Sequence, residues 1–144
     1  MSSRVSERDG TSADAMNAQA EIQSIRIPPD AAHVVSIRVF VGAVARQVGY
    51  SEEAIEDLRL VASEAAAQAI EEGGAADGIE LRARLDGPGL TIEILPSGTF
   101  TFADGEGPPR TAERRALIEA LFPEAEFETE NERSVLRVHV PHVG

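Results

Sequence analysis

Between Ile79 and Leu95 the chain alternates apolar and polar residues twice over, and no other feature constrains its fold as strongly. In Ile79-Glu-Leu-Arg-Ala-Arg-Leu85, the residues Ile79, Leu81, Ala83 and Leu85 fall on one side, and Glu80, Arg82 and Arg84 on the other. Asp86-Gly-Pro-Gly89 reads as a turn, and Leu90-Thr-Ile-Glu-Ile-Leu95 repeats the alternation with Leu90, Ile92 and Ile94. A hairpin of this kind has one apolar and one polar face. Everything else in the domain must then cover the same apolar side.

The cover is legible upstream. Val34, Ile37, Val41, Val44 and Val48 recur at three- and four-residue spacings, which predicts a helix from about Ala31 to Val48, capped by Asp30 and ended by Gly49. A second helix follows Ser51, with Glu52 and Glu53 in its first turn, where the helix dipole favours carboxylates. Its inward stripe is Leu58, Val61, Ala62, Ala65 and Ala69. The thin middle at Ala65-Ala66-Ala67 invites close approach by a strand or a ligand. Ahead of both helices, Ile22, Ile25 and Ile27 form a short strand-like run that Pro28 and Pro29 stop.

Downstream, residues 96–110 are a long connection punctuated by Gly and Pro. A third helix is expected from about Thr111 to Leu121, with Ala116, Leu117, Ala120 and Leu121 inward. Ala125–Thr129 and Val135–Val140 then close a hairpin through Glu130-Asn-Glu-Arg133. The order β-α-α-β-β-loop-α-β-β predicts an α/β (α+β) two-layer sandwich, a mixed, mostly antiparallel sheet covered on one face by three helices. The 144 residues suit one domain, with residues 1–20 as a flexible tail and residues 21–144 as the folded unit.

Composition narrows the function classes. The formal net charge is −12, which disfavours DNA, RNA and anionic membranes and favours a basic protein surface. No cysteine is present, so disulfides and thiolate metal sites are excluded. No signal peptide is visible at the N-terminus and no apolar run approaches the ~18 residues that span a bilayer, so the expected location is the cytoplasm. His139 and His142 form a His-x-x-His without carboxylate or Cys support, and no metal site is expected there.

One patch carries a resemblance. Asp57-Leu-Arg-Leu-Val-Ala-Ser-Glu-Ala-Ala-Ala-Gln-Ala-Ile-Glu-Glu-Gly73, on the second helix, resembles the Ser-Glu-Ala-x-x-Asn-Ala run of the serine-kinase anti-sigma factors, a branch of the GHKL, or histidine-kinase-like, ATPase superfamily. The resemblance implies that branch's ATPase fold over roughly Glu21 to Val140. It places Glu64 on the position of the base for phosphoryl transfer and Gln68 on that of the Mg²⁺-binding Asn. The two are four residues apart and project from one side of a helix.

The departures are specific. Gln68 reaches one methylene further than Asn, and Mg²⁺ tolerates displaced ligands poorly. The family's adenine-recognising Asp-x-Gly-x-Gly loop has no counterpart in Leu95-Pro-Ser-Gly-Thr99. Gly105 and Gly107 stand where a phosphate-covering loop is expected, but Pro108 and Pro109 remove two backbone donors. These departures imply that ATP and Mg²⁺ bind weakly or not at all.

A second candidate surface lies on the first helix, where Val35, Arg38, Val39, Gly42 and Arg46 share the side opposite the core stripe. The resemblance puts Arg38 at the position of an Arg that contacts both sigma factor and antagonist. The function expected is an anti-sigma-factor-like regulator binding a sigma factor, a STAS-type antagonist, or both. The alternatives are an active serine protein kinase using ATP–Mg²⁺ on such an antagonist, and a non-catalytic module that forms homodimers.

Overall fold

A computed structural model describes residues 21–73, 75–86, 89–99 and 109–140. Among the described residues, five strands and three helices follow in the expected order: β1 (Glu21–Ile27), α1 (Val34–Val48), α2 (Glu52–Glu71), β2 (Ile79–Asp86), β3 (Gly89–Pro96), α3 (Pro109–Leu121), β4 (Glu126–Glu130) and β5 (Arg133–Val140). The strands form one sheet in the order β1-β2-β3-β5-β4, and every pairing is antiparallel. The parallel component expected of a mixed sheet is not found among the described strands.

Local chemistry sets the helix boundaries. Asp30 accepts from the Ala32 amide at 3.0 Å and starts a 3-10 turn over Ala31–His33, so the α-helix proper begins at Val34, three residues later than the Asp30 cap suggests. Ser51 Oγ accepts from the Ala54 amide at 3.2 Å and opens α2. Gly78 must be glycine: its φ is +107°, and a Cβ there would stand 2.7 Å from the Ile27 carbonyl oxygen.

The core lies between the helices and one sheet face. Ile37, Val41 and Val44 of α1, Ile55, Leu58 and Val61 of α2, and Leu81, Ile92, Ile94 and Leu136 of the sheet are essentially inaccessible. Ala65, Ala66 and Ala69 are fully buried too, so protein packs against the thin middle of α2. The stretch Ala31–Val48 does have the length and apolarity of a membrane span, with a mean hydropathy of 1.3 over 18 residues, contrary to the sequence expectation. Its buried residues, Ile37, Val41, Gly42, Val44 and Ala45, place it in the core of this domain instead.

Arginines shape the polar surfaces, and on α3 they overturn a sequence expectation. The outer sheet face is not simply solvated. Glu93, central on it, is only 4 % exposed, because Arg82 and Arg84 of β2 and Arg137 of β5 close over it at 3.5, 3.4 and 2.9 Å. In α3, Ala116, Leu117 and Ala120 point outward. The buried residues are Thr111 and Ile118, with Arg114 and Arg115 half-buried beside them. That helix turns a partly polar side inward because its neighbour α2 offers carboxylates there.

Candidate functional site

Glu64, Gln68 and Glu71 lie four and three residues apart, so α2 presents them as one stripe. Thr111 and Arg114 lie three apart on the inward side of α3. The two stripes meet. Arg114 Nε donates to Glu64 Oε1 at 2.8 Å, and Nη1 donates to Gln68 Oε1 at 2.8 Å. Its Nη1 and Nη2 also donate to the two carboxylate oxygens of Glu71, at 3.0 and 3.1 Å. Arg110 adds a contact to Glu71 at 3.1 Å.

Gln68 is the centre of this arrangement and only 3 % exposed. Its amide nitrogen donates to Thr111 Oγ1 at 2.9 Å and to the Glu72 carboxylate. Both ends of the amide are therefore engaged. The Arg114 side chain is 14 % exposed and fully charged, since hydrogen bonding to Glu71, and less strongly to Glu64, raises its pKa against the opposing effect of burial. The same Arg114 hydrogen bonds, joined by those of Arg110, hold the Glu71 carboxyl below the usual carboxylate range in spite of its partial desolvation.

The structure thus brings together the two residues expected as base and metal ligand, and adds Glu71, Thr111 and Arg114, which sequence reasoning missed. A divalent cation needs several free oxygens at about 2.0–2.1 Å. Here Glu64 Oε1, Gln68 Oε1 and both Glu71 oxygens already accept from one guanidinium. The residues present do not fit a metal ion, and a carboxylate tied to Arg114 is poorly placed to take a proton from a substrate hydroxyl. Gly105 and Gly107 lie outside the described residues.

The α1 surface divides in two. Val35 and Val39 are each 63 % exposed, and with exposed Ala43 and Arg46 they form the outward stripe. Arg46 is held by Glu52 at 2.9 and 3.2 Å. Gly42 is not part of that face, contrary to expectation. Residues 38, 42 and 45 lie four and three apart on the margin that α2 covers. Gly42 is buried, and the Arg59 guanidinium of α2 lies where a Cβ would be, with Nε 3.1 Å away. Arg38 stands at the same margin. It remains 38 % exposed, donates to Ser63 Oγ at 3.1 Å and approaches Glu56 at 3.9 Å, while Arg59 Nε donates to its carbonyl at 3.3 Å. Arg59, Glu56 and Ser63 therefore belong to this surface, although their own helix gives no sign of it in sequence.

His139 bonds Thr91 at 2.9 Å, and His142 lies outside the described residues. Among the described residues no group of His, Asp and Glu is arranged to hold a metal ion.

Comparisons with known proteins agree with this architecture. The model of the family described as histidine kinase-like ATPase domain matches residues 27–139. A comparison with curated proteins gave no match. Among solved structures, a chain containing the RsbU and RsbW domains of Rv1364c from Mycobacterium tuberculosis superposes with a TM-score of 0.65 at 19 % identity. The match covers 86 % of this chain and 35 % of that one, so this chain spans about a third of that structure's length, and the likeness is one of fold. With its family model matched over most of its length and its sheet and helices in that arrangement, the chain belongs to the histidine kinase-like ATPase domain family.

Proposed function

We propose that this chain is a protein-binding regulator of the anti-sigma-factor type, docking a sigma factor or a STAS-type antagonist on α1 without needing a bound nucleotide. The observation that carries the reading is the exposure of Val35 and Val39, at 63 % each, on a helix that also presents Arg38 and Arg46. Two large apolar side chains one turn apart, bordered by arginines, have the composition of an interface centre with a polar rim. The charge of −12 supports a partner with a basic surface, as a DNA-binding sigma factor has.

The test is a binding assay between the chain and candidate sigma factors or antagonists, using Val39→Asp and Arg38→Glu. Val39 is 63 % exposed, so Val39→Asp should fold normally and lose at least tenfold in affinity. Undiminished binding by folded Val39→Asp and Arg38→Glu variants would overturn the reading.

A further inference from the structure

The family resemblance places a base and a metal-binding amide on α2, and both are occupied by a side chain from α3. We infer that Arg114 is a built-in cation standing in the place of the metal, so that α3 is held on α2 with no ligand bound and an ATP–Mg²⁺ complex has no seat there. This deepens the nucleotide-independent part of the functional reading and does not depend on docking at α1.

Three observations support it. First, the fork is matched to its partners: Nε, Nη1 and Nη2 meet acceptors on three α2 residues that share one stripe, all between 2.8 and 3.1 Å. A planar guanidinium with donors in fixed directions can meet such a row, and a lysine ammonium cannot span it. Second, the amide of Gln68 is fixed at both ends. Its oxygen faces Arg114 while its nitrogen faces Thr111 and Glu72, so turning the amide to offer its oxygen elsewhere would break every contact it has. Third, the charges are complementary. Two carboxylates, Glu64 and Glu71, are matched by the Arg114 guanidinium, with Arg110 also on Glu71, and Mg²⁺ arriving beside them would place like charges within a few ångströms.

Removing the guanidinium from a salt bridge that only ties two helices together would create no response to metal ions, whereas removing an internal replacement for a metal would create one. The experiment therefore compares thermal unfolding of the full chain and of Arg114→Ala, each with and without millimolar Mn²⁺, alongside calorimetric titration of both with ATP and Mg²⁺. The wild-type midpoint should not respond to Mn²⁺, and the wild type should take up no ATP–Mg²⁺. Arg114→Ala leaves Glu64 and Gln68 without a cation and Glu71 with Arg110 alone. It should melt several degrees lower, and Mn²⁺ should restore part of the loss. Adding Glu64→Gln to Arg114→Ala should abolish that response.

Micromolar ATP–Mg²⁺ binding by the wild type would overturn the inference, and so would an Arg114→Ala variant indifferent to Mn²⁺. If Arg114→Ala does not fold, the wild type and Arg114→Lys decide by titration alone, and ATP–Mg²⁺ binding to the wild type counts against it. Wild type that binds ATP–Mg²⁺ and still loses its protein partner on Val39→Asp would refute this inference while leaving the α1 reading intact.

Discussion

Gln68 on α2 is bracketed by two residues of α3: its amide oxygen accepts from Arg114 at 2.8 Å and its amide nitrogen donates to Thr111, one turn earlier, at 2.9 Å. Gln68→Leu keeps the volume and removes both bonds. It strands the Thr111 hydroxyl, which is 1 % exposed, and leaves Arg114 Nη1 with Glu71 alone. A loss of about 1–3 kcal/mol is expected from leaving buried polar groups unmatched, measured by urea unfolding. Gln68→Asn restores the family's residue type but is a methylene short of Arg114. It should also be destabilised, and it should gain no ATP affinity while Arg114 is in place.

Glu93 governs the outer face of the sheet. Burial disfavours its charge, and the hydrogen bonds and charges of Arg137 and Arg84 outweigh that, so its pKa lies below the ordinary value of 4.5. A carboxyl with a depressed folded pKa stabilises the fold at pH values above its unfolded pKa. That contribution disappears as pH falls through the folded pKa. Stability should therefore decline in the acid range below 4.5, and Glu93→Gln should flatten that part of the pH profile. At neutral pH Glu93→Ala leaves Arg82, Arg84 and Arg137 crowded together and should cost about 2–3 kcal/mol, the arginines being partly exposed. All 13 basic residues of the chain are arginines, and this face shows the use of that choice: Arg137 alone reaches Glu93, Glu126, Glu128 and Glu130.

The hairpin between β4 and β5 turns on Asn131 and Glu132, with φ of +53° and +64°. Two consecutive positive φ angles mark the tight turn whose twist suits paired strands. Asn tolerates that conformation and Glu does not favour it. Glu132→Gly should raise stability by about 0.5–1 kcal/mol, seen as a higher unfolding midpoint with no change in the denaturant slope.

Gly42 separates packing from docking. Gly42→Ala gains helix propensity, and its Cβ presses on the Arg59 guanidinium, which can move by a few tenths of an ångström. The two effects oppose each other, and a change within about 0.5 kcal/mol is expected. Gly42→Leu must push Arg59 off the Arg38 carbonyl and away from Glu56, and should cost about 1–3 kcal/mol in urea unfolding.

Much of the fold was legible because burial imposes a period on sequence. The alternation of β2 and β3, the stripe of α1 and the caps at Asp30 and Ser51 all depend on neighbours within a few residues. The same rule failed on α3, where Ala116, Leu117 and Ala120 were expected inward and Thr111, Arg114 and Ile118 are found there. Periodicity equates the inward side with the apolar side, and arginines break that equation when their partners are carboxylates on another helix. Gly42 failed for a related reason: one helix read alone has two sides, whereas α1 also has a margin that α2 covers.

By itself, the sequence determined the order of elements, the apolar sheet face, the helix that carries Glu64 and Gln68, and the exposed pair Val35 and Val39, since each follows from local spacing and side-chain chemistry. Only the tertiary structure decided what Glu64 and Gln68 face. Arg114 lies 50 and 46 residues further along the chain, and no local pattern links them. The packing of α3 on α2 brings the guanidinium to those acceptors and makes an ion-pair site out of what reads, on α2 alone, as a base and a metal ligand.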